Sequence, residues 1–514
     1  MESIGIILSG AYCNSEVSEQ YGEMPPSFLP IFGERLYRRQ VKYMKDFCTK
    51  VYLTIPSNYP LADFDDAELK SMGVTILRCD PVISINEALI LVLTLISNDT
   101  YSIAVLYGDT VLRENIPKNS VAVSKMPEAY TWGRNNGIIK FEFLKKLNAE
   151  MMMAGFFHLS NLSVFKNALK TDGDILKTLD VYDDSESLQY IELNTWEDFG
   201  HLGTIQKSKS EVAESRYFNS VRVTQSGAVK YSRDNKKLHA ELSWYQNLPI
   251  EMIKYTPKLI TSSHNFYTTE YISSPTVHEL ITYGNFRENQ WARLFEKLLK
   301  YFLDSRKFYD PSNTIELEYL INEKTRERNQ LFISSKPKFR DFSYKDLLDI
   351  TSEKNITSLI CKIDTKNEKY LGFFHGDMCA SNIFWDGTLC SMKVIDPRGD
   401  STSKTSGIYG DIRYDIAKLY QSFILGYDHV LAGTFKNKTN FGKSHHSYLI
   451  ADQIMNFSFL FEKNLLKPLE IETEEIEAIA TLLMISLLPL HKDRVDRQSE
   501  FLFIIIEMLR KLNI

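Results

Sequence analysis

The chain has 514 residues, more than one ordinary hydrophobic core accommodates, so two or three domains are expected. Hydrophobic residues make up 44% and charged residues 25%, the balance of a soluble globular protein, and a formal net charge of −6 argues against a protein whose main task is gripping a nucleic-acid backbone. The six cysteines, at 13, 48, 79, 361, 379 and 390, form no C-x-x-C pair and no Cys/His zinc pattern, so free thiols in a reducing compartment are expected. At the N-terminus, Glu2 and the lack of a basic region argue against a signal peptide. The apolar runs Ala88–Ile96 and Ile479–Leu490 fall short of the roughly 20 residues of a bilayer span. They are expected as buried helices, and the protein as cytoplasmic with no membrane span.

In chain order, Ile4–Leu8 reads as a buried strand that stops at Ser9-Gly10. Between Gly33 and Cys48 apolar residues recur at helical spacing. Val51–Ile55, Val74–Leu77 and Tyr101–Leu106 read as strands, the last running into Gly108-Asp109. Ser84-x-x-Glu87 predicts a capping box ahead of the apolar run. Strands alternating with helices imply a mostly parallel sheet with ligands at the strand carboxyl ends. Near residue 215 the texture changes. Val221–Thr224, Ser226-Gly227 and Ala228–Tyr231 read as strand, turn, strand. A helix is predicted over Leu238–Leu248 and a strand over Phe266–Ile272. Helical patterns dominate after about residue 285, apart from a hairpin at Phe384–Trp385, Asp386-Gly387 and Leu389–Ile395. The Lys/Glu/Arg-rich stretch 323–340 reads as a solvated surface or a mobile loop. A domain boundary is expected near 210–218.

The strongest chemical signal is His375-Gly376-Asp377-Met378-Cys379-Ala380-Ser381-Asn382, followed past the hairpin by Ile395-Asp396-Pro397-Arg398-Gly399. A hydroxyl nucleophile needs an acceptor for its proton, and Asp377 supplies one. The phosphates of ATP need Mg²⁺, which prefers oxygen ligands, and Asn382 and Asp396 supply a neutral and a charged oxygen. His375 is expected to be a packed residue holding the loop rather than a base. The segment resembles the signature of the aminoglycoside phosphotransferase and choline kinase family, with a likeness covering roughly residues 215–514. The resemblance implies a two-lobed protein-kinase-like fold, with a small lobe over about 215–285 and a large helical lobe over about 286–514. It also implies phosphorylation of a small-molecule hydroxyl, with Asp377 as catalytic base and Asn382 and Asp396 on Mg²⁺. Lys230 and Glu241 resemble the family's phosphate-orienting pair, with Lys236 as a rival to Lys230. Ser226-Gly227 stands where a phosphate-covering turn is expected, without a G-x-G-x-x-G. Glu270-Tyr271-Ile272 sits where the adenine-binding hinge is found. Asp411 and Asp415 resemble the downstream helix start, in a structural role. Arg398, beside the metal site, either grips an anionic acceptor or fastens the loop through a salt bridge. Tyr409, Tyr414, Tyr420 and Tyr427 either line a substrate pocket or belong to the core.

Residues 1–214 resemble the sugar-phosphate nucleotidyltransferases, a Rossmann-like family. The likeness rests on Ile4–Gly10, on Pro26-Ser27-Phe28-Leu29-Pro30-Ile31-Phe32-Gly33, on Leu106-Tyr107-Gly108-Asp109, on Ala154-Gly155-Phe156-Phe157, and on Trp196-Glu197-Asp198-Phe199-Gly200-His201. It implies nucleotide binding at Ser9 and Gly10, Mg²⁺ on Asp109 and Asp198, and a sugar pocket at Gly155. The second nucleoside triphosphate would be CTP, GTP, UTP or dTTP. Two departures stand out: Ala11-Tyr12-Cys13-Asn14 replaces the Gly-x-Gly-x-Arg triphosphate wrap, and Ser27 stands where the family has a lysine. The fold class is therefore α/β, a nucleotidyltransferase-like domain followed by an α+β kinase-like domain. A pairing of this kind resembles bacterial capsule or lipopolysaccharide precursor proteins. Three readings follow: a bifunctional kinase and nucleotidyltransferase, a kinase with a binding-only N-terminal domain, or a non-catalytic pseudokinase scaffold. Oligomeric state and acceptor are left open by the sequence.

Overall fold

The computed structural model describes residues 2–96, 100–125, 134–135, 138–139, 151–170, 174–215, 221–224, 227–232, 234–399, 407–434 and 448–514. The chain divides into two compact units, Met1–Lys209 and Ser210–Ile514.

The first unit is built on a seven-stranded sheet in the order Gln189–Glu192, Ser120–Lys125, Met151–Leu159, Ser102–Tyr107, Ser3–Leu8, Lys50–Pro56, Val74–Cys79. The last four strands run parallel to one another, a Rossmann-like core, and Met151–Leu159 is antiparallel to both of its neighbours. Parallel strands are covered on both faces, which is why Ile4, Ile6 and Ile7 are all buried whichever way they point. On one face Ile6, Val105 and Phe157 share a core with Leu89 and Val92 of the helix Ile85–Leu93. That helix opens on the predicted capping box of Ser84 and Glu87. The helix predicted between Gly33 and Cys48 spans Leu36–Lys45, and Leu36, Gln40, Val41 and Met44 form its buried stripe. Register shifts in Met151–Leu159 between Met153 and Phe157. Gly155 sits in this bulge at φ +67°, where a Cβ would lie 2.4 Å from Thr110 Oγ1.

The second unit opens with a four-stranded antiparallel sheet, Val221–Thr224, Gly227–Tyr231, Phe266–Thr269, Leu259–Ser262. The helix Asn235–Gln246, capped by Asp234, follows the second strand. Trp244 of this helix is buried and donates from Nε1 to the carbonyl of Phe374 at 2.8 Å. Gly399 closes against it so tightly that a Cβ would lie 2.2 Å from Ala240 O. Beyond residue 285 helices dominate, among them Glu288–Ser305, Lys324–Ser334, Ile412–Phe423, Thr473–Leu487 and Val495–Lys511. Among the described residues no helix is long and apolar enough to cross a membrane. Ala88–Ile96 lies mostly within Ile85–Leu93, and Ile479–Leu490 spans the buried end of Thr473–Leu487 and the turn after it.

Several expectations need correction. The Phe266–Ile272 strand stops at Thr269, where the backbone N–H of Glu270 turns to Lys258 O. The predicted hairpin pairs Ile383–Asp386 with Ser391–Val394, so four residues, 387–390, form its loop and Leu389 is exposed. A three-stranded sheet of Thr314–Ile315, Tyr409–Asp411 and Leu371–Phe373 was not anticipated, because strands of two or three residues carry no measurable alternation. The stretch 323–340 is no loop at its start: a π-helical turn, Tyr319–Glu323, leads into the helix Lys324–Ser334.

Candidate active sites

In the first unit, Asp109 follows the strand Ser102–Tyr107, and Asp198 ends the short strand Trp196–Asp198. That strand pairs antiparallel with Thr110–Leu112, matching Asp198 to Thr110, and Phe199 N–H donates to Asp109 O at 2.8 Å. The pairing brings two carboxylates about 90 residues apart in sequence to one place. Gly200 lies against both, its Cβ direction pointing 2.8 Å from Asp109 Oδ2 and 3.3 Å from Asp198 Oδ1. Both line a cavity of about 250 Å³ with Tyr107, Gly155, Trp196 and His201. Burial, then repulsion by Asp198, pushes the Asp109 carboxyl up to about 7. Two buried carboxylates in mutual repulsion are the donor set a hard divalent cation fits.

The segment around Ser9 and Gly10 is fixed by its own packing. Ser9 is buried; its N–H donates to Thr54 Oγ1 at 2.9 Å and its Oγ accepts from Ser27 N–H at 3.0 Å. Ser27 is fully buried, with its hydroxyl directed to Gly108 O at 3.3 Å. It is a packing residue and cannot reach a phosphate. Gly10 packs on Cys79, leaving a Cβ only 2.3 Å from Sγ. Asn14 caps the helix Ser15–Tyr21 and donates from Nδ2 to Gly200 O at 2.9 Å, so the loop after Gly10 ties down beside the carboxylate pair. Among the described residues, no lysine or arginine lines this cavity.

In the second unit, Lys230 on the strand Gly227–Tyr231 reaches Glu241 Oε2 and Asp396 Oδ1, each at 2.8 Å. The rival, Lys236, lies on the exposed face of the helix. Glu241 is buried and also accepts from Tyr267 OH at 2.9 Å. Burial pushes the carboxyl of Glu241 up against the pull of Lys230, while Lys230 is held protonated by Asp396 and Glu241 despite its own burial. Lys230, Glu270, Ile272 and Asp396 line a mostly apolar cavity of about 140 Å³ with Val223, Ala228 and Phe384. Gly227 adopts φ +134° and approaches Thr269 O closely; Ser226 lies outside the described residues.

Asp377 and Asn382 are joined by a bond from Asn382 Nδ2 to the Asp377 carbonyl at 2.9 Å, which leaves the amide oxygen available as a ligand. Asp396 has φ +56°, a conformation that Asp tolerates better than most residues. Its side chain remains 42% exposed with Oδ1 on Lys230. The loop is rigid by construction. His375 and Gly376 donate their N–H groups to the two oxygens of Asp415, each at 2.9 Å. His375 is fully buried; its Nε2 meets Ile395 O at 3.0 Å and its Nδ1 accepts from Asp377 N–H at 3.3 Å. Burial holds its ring near pKa 4, neutral at pH 7, as a structural histidine requires. Asp411 caps the helix Ile412–Phe423 and grips Arg413.

Asp377, Asn382 and Asp396 share a cavity of about 850 Å³. Burial raises the carboxyl of Asp377, but Lys418 and Arg398 more than offset this and hold it at about 2, so it is ionised. Lys418 Nζ lies 3.2 Å from Asp377 Oδ1. Arg398 makes no salt bridge among the described residues. It donates to Tyr414 OH at 2.8 Å and lies over the Tyr414 ring. Of the four tyrosines, Tyr414 and Tyr427 line the cavity; Tyr420 bonds to Glu477, and Tyr409 sits in the small sheet.

The sequence reading missed Lys324, Arg328 and Lys418, all in this cavity wall. Lys324 and Arg328 stand four apart on one helix face, a signal hidden by the charge-rich composition around them. Burial lowers Lys324 to a pKa of about 6, with repulsion from Arg398, Arg328 and Lys418 adding to it and Asp377 opposing. An unfolded chain keeps this proton up to about pH 10.4, so folding is penalised below that value and most strongly near and below pH 6. Lys324→Met should therefore raise the melting temperature, by more at about pH 6.5 than at about pH 9.5. An equal shift at both values would show that Lys324 is not held in this field.

No family model matches the chain, and no curated protein matches it. Among solved structures, it is similar to a UDP-glucose pyrophosphorylase complexed with UDP-glucose, at 14% identity and a TM-score of 0.33, over 42% of this chain and 100% of that one. It is also similar to the inositol-1-phosphate CTP transferase from T. maritima, at 13% identity and a TM-score of 0.31, over 40% of this chain and 91% of that one. A choline/ethanolamine kinase family protein from Mesorhizobium loti is similar at 10% identity and a TM-score of 0.35, over 57% of this chain and 86% of that one.

Proposed function

We propose that the chain is a bifunctional transferase: residues 215–514 move the γ-phosphoryl group of ATP to a small-molecule hydroxyl, and residues 1–214 join a nucleotidyl group to a phosphate-bearing acceptor. The observation that carries the kinase half is the gathering of Asp377, Asn382 and Asp396 on one cavity, with Lys230 bridging Asp396 and Glu241. In this reading the domain is two-lobed, with a small lobe over about 215–285. The apolar cavity takes adenine, its edge meeting the backbone at Glu270 and Ile272. Lys230, oriented by Glu241, holds the phosphates. The ionised Asp377 accepts the hydroxyl proton as the acceptor oxygen bonds to phosphorus. Asn382 and Asp396 fit Mg²⁺, which would neutralise the charge on the β- and γ-phosphates.

In the first unit Asp109 and Asp198 fit a second Mg²⁺, which would lower the repulsion between a nucleotide α-phosphate and an incoming phosphate. Ser9 and Gly10 back the nucleotide loop, and Gly155 opens the sugar side. The setting we propose is synthesis of a surface-polysaccharide precursor in the cytoplasm, with CTP, GTP, UTP or dTTP as the second nucleotide. A second reading, a binding-only N-terminal domain, is favoured by one observation: no described lysine or arginine faces the carboxylate pair to steady a leaving pyrophosphate.

The test is a pair of assays on the full chain, phosphoryl transfer from Mg-ATP across an acceptor panel and pyrophosphate release with each NTP and sugar phosphates. Transfer without pyrophosphate release would establish the second reading. Mg-ATP binding without turnover on any acceptor would leave a scaffold.

A further inference from the structure

Taking the kinase reading as given, we infer that the phosphoryl acceptor already carries a phosphate-type dianion, seated on Lys324, Arg328 and Arg398 beside Asp377.

The large cavity is lined by five lysines and arginines, Lys237, Lys324, Arg328, Arg398 and Lys418, against three carboxylates, Glu327, Asp377 and Asp396. Two of those carboxylates are already engaged by cations: Asp396 by Lys230 and Asp377 by Lys418. Lys237 lies 3.9 Å from Glu241, so of the five basic side chains Lys324, Arg328 and Arg398 remain with no ion pair among the described residues. Among the described residues Arg328 bonds to Ser486, at 3.0 Å to its hydroxyl, and Arg398 to Tyr414. Lys324 has no hydrogen-bond or ion-pair partner among the described residues. Burial lowers the pKa of Arg328 and of Lys324, and repulsion from Arg398 adds to the lowering in both. Chains do not ordinarily converge three half-buried basic side chains from a helix and a distant loop unless an anion completes them.

The charge count selects the anion. Near neutral pH Lys324 is largely unprotonated until an anion reverses the local field, so the standing charge is that of Arg328 and Arg398, and a monocarboxylate would leave half of this field uncompensated. A phosphate or phosphonate dianion matches it, and its oxygens suit the two planar guanidinium groups. The nucleotide phosphates have their own holders, Lys230 and the Mg²⁺ that Asn382 and Asp396 would carry at the edge of the large cavity, away from Lys324 and Arg328. Lys230 and the hinge residues line the smaller cavity, which shares with the large one only Asp396 among its lining residues. Nucleotide and acceptor therefore meet at Asp396 from opposite sides, with Asp377 on the acceptor side. The same field repels a quaternary ammonium, and the ring of Tyr414 is already covered by Arg398.

The step balances without a further reactant. The acceptor hydroxyl oxygen bonds to the γ-phosphorus and its proton goes to Asp377. The bond from the γ-phosphorus to the bridging oxygen breaks, and ADP leaves beside a product bearing two phosphate-type groups.

The test compares matched acceptors with Mg-ATP: glycerol with glycerol 3-phosphate, glucose with glucose 6-phosphate, glycerate as carboxylate, and choline. The phosphorylated member of a pair should be preferred, and Arg328→Gln should raise its KM by about 10- to 100-fold, with the KM for ATP unchanged. Preference for neutral, carboxylate or cationic acceptors would overturn the inference, as would a rise confined to the KM of ATP. A measurement independent of turnover uses inorganic phosphate alone. At millimolar concentration it should raise the melting temperature of the wild type, and the increment should be lost in Lys324→Gln and in Arg328→Gln. No increment, or the same increment in both variants, overturns the anion site. If phosphate binds at these residues but Mg-ATP neither binds nor reacts, the anion site stands and the kinase reading falls.

Discussion

Asp377→Asn should lower phosphoryl transfer by about 10²- to 10⁴-fold, the contribution of a positioned general base, and leave pyrophosphate release by the first unit unchanged. Asparagine keeps the shape of the side chain and removes the charge, so the variant isolates proton acceptance. The loop has its own scaffold: the bonds from His375 and Gly376 to Asp415, and from Asn382 to the Asp377 carbonyl, do not use the Asp377 carboxylate. Mg-ATP should still raise the melting temperature, because the nucleotide side depends on Lys230, Glu241 and Asp396. Lys418 loses the carboxylate at 3.2 Å, so the unliganded variant should unfold at a somewhat lower temperature. Single-turnover assays with a saturating acceptor separate the outcomes. Transfer within tenfold of the wild type would remove Asp377 from the mechanism.

Asp109→Asn should have the second largest effect, a loss of about 10²- to 10³-fold in pyrophosphate release with phosphoryl transfer intact. The two carboxylates are held together by backbone pairing, and burial, with repulsion from Asp198, raises Asp109 to about 7. Two signs follow. Without divalent metal, the variant should melt at a higher temperature than the wild type, since a buried like-charge contact is relieved. With Mg²⁺ or Mn²⁺ the order should reverse, because only the wild type keeps both charged ligands. Calorimetric scans with chelator and with each metal read both signs. Metal stabilisation equal in the two proteins would exclude this pair as the cation site.

The alternation of buried strands and helices in the first hundred residues was legible because each strand is a continuous apolar run and each helix repeats at its own period. Ser84 and Glu87 form the capping box that their spacing predicts. The spacing from Asp377 to Asn382 was legible because it is local, and the bond from Asn382 Nδ2 to the Asp377 carbonyl closes that short loop. Lys230 and Glu241 lay within a short span, but choosing Lys230 over Lys236 needed the strand register that aims one side chain at Asp396. The short strands at Thr314–Ile315 and Leu371–Phe373 left no trace, since two or three residues cannot express a period.

What the sequence by itself determined is the local chemistry: which residues form the strands, caps and hairpin, and which carboxylates and amides stand at kinase spacing. Those features depend on neighbours a few residues apart. Only the tertiary structure decided that Lys324 and Arg328 look inward rather than out to solvent, that Lys418 lies on Asp377, that Ser27 is buried, and that Asp109 meets Asp198. Each joins or seats groups through the packing of separate elements. A charge-rich helix reads the same whether its cations face water or a cavity, and the difference is set by the helix and sheet packed against it.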